Sequence, residues 1–117
     1  MAQRELNIVQ EQTGDIWIFR VSGKLDFSST PLLEEKLKEI VNQYHYKVIF
    51  DFTNLTYISS PGLRLLLQGS KITKNLNGKL VIFGLQHFPK EIIKDSNFDF
   101  FLEIAETEKD ALDRFKS

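Results

Sequence analysis

An apolar strand that feeds directly into an amphipathic helix sets the architectures open to this chain. Lys47 to Phe52 carries Val48-Ile49-Phe50, a continuous apolar run that reads as a buried strand. From Pro61 to about Leu76 a leucine-rich helix follows, and Asn77-Gly78 stops it. The next strand, Lys79-Leu80-Val81-Ile82-Phe83-Gly84, begins at once. Strand, helix and strand in this order call for a crossover connection and a parallel sheet. Between the first strand and the helix lies Asp51-Phe52-Thr53-Asn54-Leu55-Thr56-Tyr57-Ile58-Ser59-Ser60-Pro61-Gly62-Leu63-Arg64. Two serines therefore stand on a short loop at the mouth of a helix.

The remaining elements extend the same alternation. Glu5 to Glu11 reads as a short edge strand, and Thr13-Gly14-Asp15 as a turn. Ile16-Trp17-Ile18-Phe19-Arg20-Val21-Ser22 is aromatic and β-branched, with apolar residues on both pleat faces, and Gly23-Lys24-Leu25-Asp26 ends it. Ser28-Ser29-Thr30-Pro31 starts a helix, with Thr30 at the cap and Pro31 at the first helical position. Leu33, Leu37, Ile40 and Val41 form its core stripe, and Tyr44-His45-Tyr46 closes it. Phe88 to Lys94 reads as a short helix. Asn97 to Ile104 contains a last extended segment. Thr107 opens a final helix carrying Ala111, Leu112 and Phe115. The order is β-β-α-β-α-β-α-β-α. This predicts one α/β domain over residues 1–117, with a mostly parallel sheet of four to five strands, an antiparallel edge strand and about four helices.

Composition narrows the chemistry. The 117 residues are 42% hydrophobic and 26% charged, enough apolar content for a packed core. Fifteen basic and sixteen acidic side chains give a net charge of -1, so no global field favours nucleic acid or an anionic membrane. Cysteine is absent, which removes disulfides, thiolate metal sites and a cysteine nucleophile. Met1 to Gln12 lacks the apolar core of a secretory signal, and no apolar run approaches the roughly 20 residues that cross a bilayer. The expectation is a cytoplasmic domain without membrane contact.

Catalytic constellations are missing. His45 and His87 are the two histidines, and neither stands in a nucleophile-elbow pattern or in a metal-ligand spacing. Asp26, Asp51 and Asp99 could converge on Mg²⁺ at the strand ends, but loop carboxylates more often cap helices or face solvent. No glycine loop of phosphate-cradling type follows a strand. No catalytic residue, metal or cofactor is expected.

The serine loop carries the functional argument. Proline disfavours helical geometry in the residue before it and suits a helix start, which makes Ser60 the expected N-cap. A hydroxyl there stands in the weakly positive field of the helix terminus. A phosphate added to it brings nearly two negative charges. The helix tolerates them, whereas a partner surface docked over it would not.

These residues resemble the STAS domain of the anti-sigma factor antagonist family. Val21-Ser22-Gly23-Lys24-Leu25-Asp26, Val48 to Leu55, Tyr57-Ile58-Ser59-Ser60-Pro61-Gly62-Leu63-Arg64, and the late helix from Thr107 to Phe115 carry the resemblance, which spans about residues 5–116. It implies a STAS fold and a partner-switching protein without catalysis of its own. Such a protein binds an anti-sigma factor that is also a serine kinase, is released when a loop serine is phosphorylated, and is restored by a serine phosphatase. Better-known members read Asp-Ser-Ser/Thr-Gly before the helix. Here Ser59 replaces the Asp, and Pro61, which cannot accept phosphate, stands immediately before Gly62. The resemblance therefore implies Ser60 as acceptor, with Ser59 as second choice. The partner-binding residues it implies are Asp26, Phe27, Tyr57, Ser59, Pro61, Gly62 and Arg64. Asp26 either contacts the kinase or orients the serine loop, or simply caps the turn after Leu25. Phe27 and Tyr57 are either exposed anchors or core residues. Arg64 either pairs with an anion or is solvated. The rival reading is an unphosphorylated STAS scaffold that senses a small molecule or nucleotide, which requires a cavity at the strand ends with converging polar groups.

Overall fold

The structure, a computed structural model, describes residues 6–116. Five strands form one sheet in the order β1-β2-β3-β4-β5: β1 Leu6–Thr13, β2 Ile16–Leu25, β3 Lys47–Ile58, β4 Lys79–Phe83 and β5 Glu103–Ala105. β1 pairs antiparallel with β2 through a two-residue turn, and every other pair is parallel. Among the described residues three α-helices connect the parallel strands, α1 Thr30–Asn42, α2 Ser60–Asn75 and α3 His87–Asp95, a 3-10 turn at Phe98–Phe100 precedes β5, and a fourth helix, α4 Glu108–Asp113, follows β5. The α/β class, the antiparallel edge strand and the helix count agree with the sequence. Glu5, where the sequence reading starts the edge strand, and the rest of 1–5 lie outside the described residues.

Pleat alternation divides the core in two. Phe19 and Val21 of β2, Val48, Phe50 and Phe52 of β3, and Leu80 and Ile82 of β4 face one way, onto Leu33, Leu37 and Ile40 of α1, Leu63 and Leu66 of α2, and Ile93 of α3. Ile18, Ile49, Val81 and Phe83 face the other way, onto Ala111 of α4. Three helices thus cover one face, and one short helix covers part of the other.

The sequence reading stops β2 and β3 too early. It ends β2 at Ser22 and β3 at Phe52, whereas the strands run on together to Leu25 and Ile58. Two register shifts explain the error. Arg20 faces Asp51, Ser22 faces Asn54, Gly23 faces Leu55 and Lys24 faces Tyr57, so β3 carries an extra residue twice. The buried residues of this segment, Phe52, Leu55 and Ile58, then recur every third position rather than every second. Gly23 absorbs part of the distortion with φ 102°, a conformation that residues with a Cβ avoid.

The first helix starts one residue before the sequence indicates. Ser29, not Thr30, is the N-cap, and Pro31 lies beyond the first helical position. At the end of α2 the left-handed residue is Asn77 (φ 65°). Gly78 is required for a different reason: a Cβ there would sit 2.1 Å from the Tyr46 carbonyl oxygen. The backbone between α1 and β3 passes directly beneath it, and Lys79 N donates to that same carbonyl at 2.9 Å.

Arg20 ties together the face that carries α4. Its guanidinium donates to Asp51 on β3 (2.8 Å), to Glu11 on β1 (2.9 Å) and to Glu108 on α4 (2.9 Å). Burial pushes the Asp51 carboxyl up, but hydrogen bonds from Thr53 and Arg20 outweigh it and the net shift is downward. Hydrogen bonds from Arg20 likewise lower Glu11.

Two predictions follow from this packing. Gly78→Ala is expected to lower unfolding free energy by about 1–3 kcal/mol in urea titration, because a backbone atom cannot move aside as a side chain can. Because the folded state holds Asp51 and Glu11 below their ordinary range, the unfolded chain takes up protons first as the pH falls. Their stabilisation is complete above the unfolded carboxylate value of about 4 and is lost as the pH falls through the lower folded values. Arg20→Met, which leaves Asp51 unpaired, is expected to cost about 1–3 kcal/mol at pH 7. That gap between variant and parent should narrow below pH about 4, read as urea midpoints at neutral and acid pH.

Candidate functional site

The rim at the carboxyl ends of β2 and β3 is organised by Ser59. This residue is extended (φ -90°, ψ 175°) and is the N-cap of α2. Its backbone N–H donates to the Leu25 carbonyl at 2.8 Å, and its hydroxyl donates to the same oxygen at 3.0 Å. The hydroxyl oxygen accepts from Gly62 N at 3.4 Å, and the Ser59 carbonyl accepts from Leu63 N at 2.9 Å. Ser59 is 9% exposed.

This corrects the expected cap. Ser60 is not the N-cap but the first residue of α2, despite the proline after it. The extended geometry that proline favours falls one residue earlier, where the tie to β2 holds the chain. Ser60 is exposed, and its hydroxyl has no hydrogen-bond partner among the described residues. Pro61 is half-buried and Gly62 is buried. A Cβ on Gly62 would lie 3.1 Å from Leu25 and Ile58 side-chain atoms, so the first turn of α2 rests on both strand ends. Arg64 is exposed, four residues beyond Ser60, and makes no ion pair among the described residues.

Asp26 follows Leu25 and closes the same rim. Its Oδ1 accepts from the backbone N–H groups of Ser28 (3.1 Å) and Ser29 (3.0 Å) and from their hydroxyls (both 3.0 Å). These bonds, the Ser29 hydroxyl first, hold the carboxyl below the ordinary aspartate range. The Ser29 hydroxyl also donates to the Lys24 carbonyl at 2.6 Å. Phe27, at the tip of this turn, is 79% exposed. Tyr57 is also exposed and stacks on Phe88 of α3, with ring centroids 6.3 Å apart.

Lys24, Asp26, Thr56, Tyr57 and Phe88 border an open cleft of about 480 Å³. The structure thus brings Asp26 and Tyr57 to one cleft, while Ser60, Pro61, Gly62 and Arg64 follow on the adjoining turn of α2. Lys24, Thr56 and Phe88 were missed from sequence. Phe88 reads there as an ordinary helix residue, and only the approach of α3 to β3 shows its ring outside. Asp26, Asp51 and Asp99 do not converge, and among the described residues no three His, Cys, Asp or Glu side chains form a metal-binding group. His45 packs on Trp17, and His87 is exposed beside Glu91.

Residues 7–111 match the STAS domain family model. The chain belongs to the STAS domain family. The relative BtrV of Bordetella bronchiseptica, provisionally named an anti-sigma factor antagonist, is 26% identical over 112 residues, 96% of this chain and 97% of that protein. The crystal structure of an anti-sigma factor antagonist from Mycobacterium paratuberculosis is similar in fold, with TM-score 0.86 and 19% identity over 96% of this chain and 95% of that one. The unphosphorylated form of the anti-sigma factor antagonist SpoIIAA gives TM-score 0.78 and 21% identity over 92% and 95%. SpoIIAA in its phosphorylated form, described as a Bacillus cell fate determinant, gives TM-score 0.72 and 20% identity over 94% and 100%. No helix among the described residues is long and apolar enough to cross a membrane.

The two serines should separate cleanly in stability measurements. Ser59→Ala is expected to cost about 1–2 kcal/mol in urea unfolding, from loss of the cap and of a buried hydrogen bond. Ser60→Ala is expected to stay within about 0.5 kcal/mol of the parent. An equal loss in both would contradict the assignment of the cap.

Proposed function

We propose that this STAS domain is an anti-sigma factor antagonist that works by partner switching. It binds an anti-sigma factor with serine kinase activity through the rim of Asp26, Phe27, Tyr57, Ser59, Pro61, Gly62 and Arg64. Phosphorylation of Ser60 releases it, a serine phosphatase resets it, and the domain itself catalyses nothing. One observation carries this reading: Ser60 offers an exposed, unengaged hydroxyl at the start of a helix, whereas the Ser59 hydroxyl is held by the fold. SpoIIAA, similar in fold, has been solved in unphosphorylated and phosphorylated forms.

The physical logic is a contrast between two environments. Facing water, a phosphate on the first residue of α2 meets the positive end of the helix and lies one turn from Arg64. The helix alone supplies a weak cradle, since Pro61 lacks an N–H and the Gly62 N–H points to Ser59. Under a docked partner the same dianion would be stripped of water without a full set of donors, which costs several kcal/mol. Phe27 and Tyr57, with Phe88 behind, supply the apolar contact that is lost on release. A small-molecule sensor at this rim would need an enclosed pocket, and the cleft here is open to solvent.

Incubation with the cognate kinase and ATP is expected to place phosphate on Ser60, mapped by mass spectrometry, and Ser60→Ala to abolish it while binding is retained. Ser60→Asp should bind the kinase at least about tenfold more weakly by calorimetry, a change of about 1.4 kcal/mol. Parent-like affinity of Ser60→Asp would rule out the release step.

A further inference from the structure

The opposite end of α2 holds a second concavity that the partner-binding rim does not use. A groove of about 730 Å³ opens between the last turns of α2, the start of β4 and the segment from Phe98 to Glu103. Leu67, Leu80 and Leu102 form its floor, and Phe98, Phe100 and Phe101 its outer wall. Phe100 is 80% and Phe101 70% exposed, although adjacent exposed phenylalanines are costly on a protein surface without a partner. The volume falls in the range of small-molecule sites.

The charges around this groove are not balanced. Glu103 is already paired, by Arg114 at 2.9 Å and by Lys79 at 3.9 Å. Lys79 also donates to the Arg114 carbonyl at 2.6 Å. Lys71 and Lys74, on successive positions of the same helix face, make no ion pair among the described residues. Ser70 is also a lining residue, and its hydroxyl oxygen is buried from solvent with no hydrogen-bond partner among the described residues. The groove therefore joins an apolar body to two cations that have no ion-pair partner among the described residues.

We propose that this groove binds a small amphiphilic anion, a carboxylate carried on an aliphatic or aromatic body. The body lies on the phenylalanines and leucines, and the carboxylate meets Lys71 and Lys74. Ligand binding here is separate from kinase binding at the rim. Along α2, Lys71 and Lys74 lie 11 and 14 residues beyond Ser60, about 17 and 21 Å at 1.5 Å per residue.

Titration of the ¹⁵N-labelled full chain with decanoate, below its micelle concentration, tests this. Saturable shifts are expected in Leu67–Lys74 and Phe98–Glu103, with Kd below about 1 mM. Decanol and decyltrimethylammonium should bind at least about fivefold more weakly, because the charge match is missing or reversed. Lys71→Gln with Lys74→Gln, both exposed positions that leave the fold intact, should weaken decanoate about tenfold. Phe100→Ser with Phe101→Ser should abolish saturation. Absence of saturable shifts, equal binding of the three probes, or shifts centred elsewhere would overturn the proposal. So would an acidic amphipathic peptide that binds the groove more tightly than decanoate does, since that would make it a protein-docking surface.

Discussion

One backbone carbonyl holds the functional end of this domain together. Leu25 O, at the last residue of β2, receives both the N–H and the hydroxyl of Ser59. The bond joins the end of one strand to the start of the helix that follows its neighbour. Both groups are buried, so leaving either without its partner would cost about 1–3 kcal/mol. Everything at the rim takes its position from this point. Gly62 sits close enough to touch Leu25 and Ile58, Asp26 turns away immediately after Leu25, and Ser60 is delivered to the surface by the first turn of α2.

Much of this was legible from residue pattern. The apolar runs in β2, β3 and β4, the leucine spacing of α1 and α2, and the helix start at Thr107 each produce the element their chemistry favours. The extension of β3 was not legible, because two bulges convert its burial from period two to period three. Thr53-Asn54 then looks like a turn, although the ladder with β2 continues through it. The cap of α2 was misplaced for a related reason. A local rule about the residue before proline was applied to Ser60, but a tertiary bond from β2 fixes Ser59 in the extended conformation instead.

The side-chain environment of the rim was even less accessible. Nothing local distinguishes Phe27, which projects into solvent, from Phe19, which is fully buried. The pairing of Tyr57 with Phe88 depends on how α3 returns across β3. Arg20 shows the same limit on the other face. Its three carboxylate partners come from β1, β3 and α4, and only the assembled sheet places them around one guanidinium. Sequence reading found the elements and the hydroxyls, and tertiary contact decided which hydroxyl is structural.

That decision gives adjacent positions very different freedom to vary. Position 59 must present a capping oxygen on an extended backbone, which serine, threonine, asparagine or aspartate supplies and an apolar residue does not. Position 60 meets no such demand, and an aspartate, alanine or lysine there would leave the scaffold standing. A lineage can therefore rewrite the surface chemistry of this corner by single codon changes, without compensating mutations elsewhere.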